Sequence, residues 1–199
     1  MANEPLITPW KDYVEKTKGR NARPFLVKAI SYIPHRDECL DLGAGALNDA
    51  KYLLEEGFKH VTAVDKEPVA QEIATALPSA HFRYVISSFE EFQFPENKYD
   101  LINAQFSLPF GRKENFDIVF EKIKRSLVTG GIFTGQFLGD RDEWNTSSSA
   151  MTFHKKEGVK QLLSDMQIIE LIEEEKDQPT VIQPKPKHWH IFHIIAKKN

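Results

Sequence analysis

The chain has 199 residues, 41% of them apolar and 28% charged, and a formal net charge of -3. That length suits one domain with a full core, and the near-neutral balance argues against a dedicated nucleic-acid binder, whose domain is strongly basic. A lone cysteine, Cys39, excludes an intrachain disulfide framework and a cysteine-rich zinc cluster. The opening stretch, Met1 to Tyr13, lacks the basic start and apolar core of a secretory signal. No apolar run nears the roughly 18 residues of a membrane span, so the expectation is a cytoplasmic protein without a membrane partner.

Two short helices are expected first, over Trp10 to Lys16 and Arg23 to Ile33. A β-rich run, Glu38 to Leu42, then ends in Gly43-Ala44-Gly45. Leu47, Ala50, Leu53 and Leu54 line one face of the helix that follows, and Gly57 is placed to cap it. The second strand, His60 to Val64, ends at Asp65. Pro68 opens a further helix, which Pro78 stops. His81 to Ile86 and Tyr99 to Ala104 read as strands three and four. Phe116, Phe120, Ile123 and Leu127, spaced four, three and four, mark an amphipathic helix that Gly130-Gly131 closes before a fifth strand, Ile132 to Leu138. Lys155 to Asp165 reads as helix, with His154 as a cap or surface residue at its start. Met166 to Glu173 and Trp189 to Ala196 read as the last strands, joined by a linker, Glu174 to His188, that holds three prolines.

Strand-helix alternation of this kind predicts an α/β, Rossmann-like, doubly wound and mostly parallel sheet of about seven strands with an antiparallel edge strand. The expected organisation is a single domain over 1–199, with 1–35 as an N-terminal helical lid segment and 36–199 as the sheet core.

Ligands of such sheets sit outside the carboxyl ends of the strands. Gly43 and Gly45 there permit a tight turn and a close backbone approach. By themselves they fit either a ligand cradle or a plain strand-to-helix turn. Asp65 follows Asp41 by 24 residues, where a carboxylate can accept hydrogen bonds from ribose hydroxyls. A dinucleotide fingerprint would place a third glycine at position 48, which is Asn48, so a ligand without a pyrophosphate fits better.

With those residues in view, Leu40-Asp41-Leu42-Gly43-Ala44-Gly45 resembles the first motif of class I S-adenosylmethionine-dependent methyltransferases. Val61 to Asp65 resembles their second-strand motif, Tyr99 to Ile102 their fourth strand, and Leu127 to Phe133 the lead-in to the fifth. The likeness spans roughly 36–140, and its nearest flavour is the small tellurite-resistance type, on the Asn48-Asp49 helix start and the aromatic, His-rich last strand. The resemblance implies S-adenosylmethionine as cofactor. It places Gly43 and Gly45 by the methionine part, Asp41 at its amino group or a water, and Asp65 with Lys66 at the ribose. Ser88 and Phe89 would border the adenine, Asn103 and Ala104 would line the amino-acid end, and Tyr13 or Trp10 would close over it. The sequence departs from the family at Leu47, where many members have glycine, and at Ser88, where many have aspartate.

Catalytic candidates come from the later strands. Alternation puts His188, His190 and Phe192 on one face of the last strand. The two histidines read as bases or as a metal pair without an evident third ligand, so no metal is assigned; the alternative is a solvated polar face of an edge strand. Arg141 follows the fifth strand and reads either as a clamp for an acidic acceptor, with Trp144 as cover, or as part of a charged loop. The segment QFSLPF, Gln105 to Phe110, lacks the double-proline register of enzymes that methylate base amino groups. The expected acceptor is a small molecule and nucleic acid is disfavoured. Set against this are an RNA or protein substrate held by Arg20, Arg23, Lys185 and Lys187, a non-catalytic S-adenosylmethionine-binding protein, and, more distantly, a nicotinamide dehydrogenase.

Overall fold

A computed structural model describes residues 10–78 and 80–199. The segment read as lacking a secretory signal lies, over residues 1–9, outside the described residues. In chain order the elements are α1 (Trp10–Thr17), α2 (Pro24–Ile30), β1 (Glu38–Leu42), α3 (Asn48–Glu55) and β2 (His60–Asp65). A 3-10 turn (Pro68–Ala70) leads into α4 (Gln71–Thr75), then β3 (Phe82–Ile86), β4 (Tyr99–Ala104) and α5 (Phe116–Ser126). The chain ends with β5 (Leu127–Gly139), β6 (Phe153–His154), α6 (Lys156–Leu162), β7 (Met166–Pro179) and β8 (Pro186–Lys198).

One sheet holds all the strands in the spatial order β3-β2-β1-β4-β5-β8-β7, with the two-residue β6 pairing β5 off that path. Pairings from β3 through β5 are parallel, whereas β8 runs antiparallel to both β5 and β7. The chain reverses its direction across the sheet between β1 and β4, and in open sheets of this kind ligands bind at such a switch point, outside the carboxyl ends of the strands.

Strand alternation splits the core into two layers. On one side, α5 lays Phe116 and Phe120 against Phe133 and Phe137 of β5, with ring centroids 5.1–5.3 Å apart at steep interplanar angles. On the other side, Leu26, Ala29 and Ile30 of α2, Leu47 just ahead of α3, and Ala50 and Leu53 of α3 cover Cys39, Leu101, Ile132 and Ile195. Gly57 ends α3 with φ +85°, as its place after the apolar stripe predicts.

Several expectations need correction. Among the described residues ahead of β1, α1 lies at the strand ends, whereas α2 carries a buried apolar stripe and belongs to the face layer, so 10–35 is not a uniform lid. Helix α5 stops at Ser126, and β5 starts at once, ahead of Gly130-Gly131, because Tyr99 already pairs Leu127. The proline-bearing linker is mostly strand, since β7 and β8 pair from Met166–Lys198 out to Pro179–Pro186. The last strand is therefore interior to the sheet, and the edge belongs to β7. His154 is neither cap nor surface residue: it pairs Gly139, packs on Phe116 and Phe137, and burial lowers its imidazole pKa. Among the described residues no helix is long and apolar enough to cross a membrane.

Phe133 is fully buried between Phe120 and Phe137. Phe133→Ala is expected to cost roughly 3–5 kcal/mol, a fall in melting temperature on the order of 10 °C for a chain of this size, read by a thermal melt followed by circular dichroism.

Candidate active site

The turn after β1 is built from left-handed residues. Gly43 (φ +73°) and Gly45 (φ +48°) let the chain double back so that the Gly43 and Ala44 N–H groups donate to the Val64 carbonyl at 2.8 and 3.1 Å. A Cβ on Gly43 would lie 2.3 Å from Ser107 Cβ and 3.4 Å from the Phe89 ring, so only glycine fits between them. Leu47 also sits at positive φ (60°), and its fully buried side chain offsets that strain of about 1 kcal/mol. At the end of β2, Asp65 accepts the Gly45 N–H on Oδ2 (2.8 Å) and the Glu67 N–H on Oδ1 (3.0 Å). The carboxylate is thereby fixed between two loops, partly exposed, with a lone pair left on each oxygen.

Beside the turn, a polar stripe crosses the sheet on the α2–α3 side. Asp41 of β1 faces Asn103 of β4, Asn103 faces Thr134 of β5, and Gln136 of β5 faces His193 of β8. Asn103 Nδ2 donates to Asp41 Oδ1 (2.8 Å) and Asp49 Oδ2 (3.1 Å). Gln105 Nε2 donates to Asn103 Oδ1 (2.9 Å), and Gln136 Nε2 donates to Gln105 Oε1 (2.8 Å). Asp41 and Asn103 are buried, yet Asp41 Oδ2 and Ser107 Oγ, the latter packed against Gly43, have no partner among the described residues. Burial pushes the Asp41 carboxyl well above the usual range, and the Asp49 charge adds to this. A pair of buried carboxylates with an orphaned oxygen is an acceptor for a cationic or N–H donating ligand.

Aromatic side chains rim this end of the sheet. Trp10 of α1 lies 5.1 Å from Phe110, after β4, and under Lys66 Nζ at 5.6 Å, after β2. Tyr13 accepts a hydrogen bond from the Arg23 guanidinium (3.0 Å), which sits over Phe106 at 5.1 Å. Trp144 and Trp189 enclose the buried Lys187 ammonium at 4.0 and 3.9 Å, and Asp142 pairs with it at 2.5 Å. Phe110 links Trp10 to Trp144, and Phe106 links Trp189 to His193.

Among the residues picked from sequence, the structure brings Asp41, Gly43, Gly45, Asp65, Lys66, Phe89, Asn103 and Tyr13 to one end of the sheet. Ser88 is at the same end but spends its hydroxyl on Glu91, to which it donates at 3.1 Å. The catalytic candidates fall elsewhere. His188 and His190 point to the opposite face from the polar stripe, so neither looks onto the glycine turn. His188 pairs with Asp177 and Glu175 in solvent, which raises its pKa. His190 is buried against Gly139, where a Cβ would clash at 2.0 Å, and its ring is held by Glu173 and the Arg141 N–H. The expected solvated face is thus a packed network. Glu173 and Glu175 supply the further ligands that the sequence did not show beside His190. The Arg141 guanidinium fills that centre at 2.8 Å from Glu173 and 2.6 Å from Glu175, and with Lys156 holds the Glu173 carboxyl down to about 2. Arg141 is therefore engaged, not open to an acceptor. Sequence reasoning missed Gln105, Gln136, Ser107 and His193; the odd-numbered face of the last strand held the signal, but only the register with β5 singles it out.

Residues 39–131 match a family model described as a methyltransferase domain. No curated protein matches the chain. Among solved structures, a 1,6-didemethyltoxoflavin N1-methyltransferase of Burkholderia thailandensis, with S-adenosylhomocysteine bound, is 20% identical over 100% of this chain and 93% of its own, at a TM-score of 0.69. TehB from Haemophilus influenzae is 17% identical over 96% of this chain and 67% of its own, at 0.75. An S-adenosylmethionine-dependent methyltransferase from Mesorhizobium loti is 16% identical over 86% and 96%, at 0.65. These likenesses share the fold.

Two substitutions separate stability from binding. A ribose held by Asp65, as the resemblance implies, predicts that Asp65→Ala weakens S-adenosylhomocysteine binding roughly 100-fold by calorimetry. Asp41→Asn relieves a buried charge, so the ligand-free protein is expected to melt a few degrees higher at pH 7 while binding about tenfold more weakly. A ligand ammonium held by Asp41 predicts that affinity falls as pH drops through that carboxyl's raised pKa.

Proposed function

We propose, for a chain that is a class I S-adenosylmethionine-dependent methyltransferase, that the methyl acceptor is a small molecule enclosed by the chain's own aromatic rim. The reading treats 1–199 as one catalytic domain. The observation that carries it is the closure of the mouth by Trp10, Phe110, Trp144, Trp189 and Phe106, which links the loops after β2, β4 and β5 to the last strand. A polymer would need an open basic track, whereas Lys187 here is buried between two indoles and Arg23 is spent on Tyr13 and Phe106.

The residues present suit the cofactor. The Gly43 cradle admits a close backbone approach, the orphaned Asp41 Oδ2 and Ser107 Oγ would take its ammonium, and Asp65 would hold both ribose hydroxyls. Phe89, packed over Gly43, would flank the adenine, with Lys66 and Tyr13 at the outer wall. When bound, the cofactor supplies a methyl group already activated by a sulfonium. The protein's share is to orient the acceptor in line and keep water out, and proximity of this kind provides much of the rate.

Two measurements test this. S-adenosylmethionine at about 100 times its dissociation constant adds roughly 2.7 kcal/mol, a rise of several degrees in melting temperature for this size. A cell extract incubated with the protein and methyl-labelled cofactor is then fractionated. Label in the small-molecule extract is expected; label confined to precipitated RNA or protein would reject the small acceptor in favour of a polymer.

A further inference from the structure

We propose that the cavity beneath the loop joining β3 to β4 is a second ligand site, for a small molecule that joins one carboxylate to an apolar ring or chain.

The fold leaves this place uncovered. On the α2–α3 side, Ala50 and Leu53 of α3 and Ala74 of α4 cover Val61 and Ala63 of β2 and Phe82 of β3. On the opposite side α5 and α6 cover β4, β5 and β8. The chain passes from Ile86 to Tyr99 without a helix, so on that side β2 and β3 receive Phe92 and Phe94 of the connecting loop in a helix's place. A cavity of about 420 Å3 remains, with Val85, Phe92, Pro95 and Tyr99 as apolar walls. Small-molecule sites commonly fall between about 300 and 1,000 Å3. A smaller cavity of about 190 Å3 adjoins it, sharing Thr62, Arg83 and Lys98.

The polar groups gather at the amino end of the strands. Parallel pairing sets Thr62 beside Arg83 and Val64 beside Val85, and alternation puts all four on the α5 side. Such positions on a parallel sheet ordinarily carry apolar residues, because helices cover them. Arg83 lines the cavity, is exposed, and pairs with no carboxylate among the described residues. Its charge reaches the Tyr99 phenol, which meets the Thr62 hydroxyl and which burial pushes up to about 12. The other cation, Lys98, is engaged: Glu38 pairs with it at 3.4 Å, and it lies over the Tyr99 ring at 5.5 Å. Glu91, at the carboxyl end, accepts the Ser88 hydroxyl at 3.1 Å.

The amino end therefore offers one uncancelled positive charge on a planar fork, beside two hydroxyls. A carboxylate matches that fork with two parallel hydrogen bonds and matches its charge. A dianionic phosphate would leave one charge unmatched and face Glu38. The apolar body then lies along Val85, Phe92 and Pro95, away from the guanidinium. The lining includes none of Asp41, Gly43, Asp65 or Phe89, so this site is separate from the glycine turn.

The test uses the full chain with saturating S-adenosylhomocysteine and the dye 8-anilinonaphthalene-1-sulfonate, an aromatic monoanion whose fluorescence rises on binding. 1-Naphthoate and the uncharged 1-naphthalenemethanol compete for it. In the wild type the dye is expected to bind, and naphthoate to displace it at about one-tenth of the alcohol's concentration. Arg83→Gln is expected to bring naphthoate level with the alcohol. Val85→Phe is expected to fill the cavity and abolish dye binding, and both variants are expected to keep the wild-type affinity for S-adenosylhomocysteine. No dye binding by the wild type, displacement of the dye by S-adenosylhomocysteine, or equal competition by naphthoate and the alcohol overturns the proposal. So does a naphthoate preference that survives in Arg83→Gln, or dye binding that survives in Val85→Phe.

Discussion

The hydrogen bond from Asn103 to Asp41 sets the polarity of everything around the crevice. A carboxyl group buried at the centre of a parallel sheet must be met by partners, and the described residues supply one side-chain donor to Asp41 Oδ1, Asn103. That single bond commits Asn103, then Gln105 and Gln136, to one orientation each. It leaves the second carboxylate oxygen bare next to the glycine turn. A buried carboxyl with an open oxygen costs stability in the free protein, and sites that bind polar ligands commonly yield stability in this way.

Much of this was legible in the sequence for a plain reason. Strands β1, β2 and β4 are buried on both faces, so they read as short apolar runs whose ends coincide with the residues that carry chemistry, Asp41, Asp65 and Asn103. The glycine turn needed no tertiary information, because positive φ at Gly43 and Gly45 is a local demand. The C-terminal third was read less well. Glu, Lys and Pro between 174 and 188 look like a solvated linker. They form strand because β7 is the sheet's edge, where one side of the ladder and many side chains stay in water.

The misassigned histidines follow from that error. With the last strand taken as an edge, His188 and His190 looked like one exposed pair. Once β8 lies between β5 and β7, its two faces acquire different neighbours. The even face meets Gly139 and the Arg141 ion pairs, and the odd face meets Gln136, Phe25 and Phe106. Alternation gives the two faces from sequence, but only pairing partners decide which of them looks onto the crevice.

Helix α1 shows how far the site also organises the fold. At eight residues it is too short to be stable alone in water. It buries only Val14 and Thr17, and is tied down by Asn48, which accepts the Gly19 N–H and donates to the Thr17 carbonyl. The rest of its order comes from Trp10 and Tyr13, whose partners Lys66, Phe110 and Arg23 stand on three separate loops around the mouth. A segment held by the rim it covers has a local opening free energy well below that of the sheet, because few buried apolar contacts are lost when it lifts. The order of α1 therefore depends on the same aromatic and ionic side chains that rim this end of the sheet.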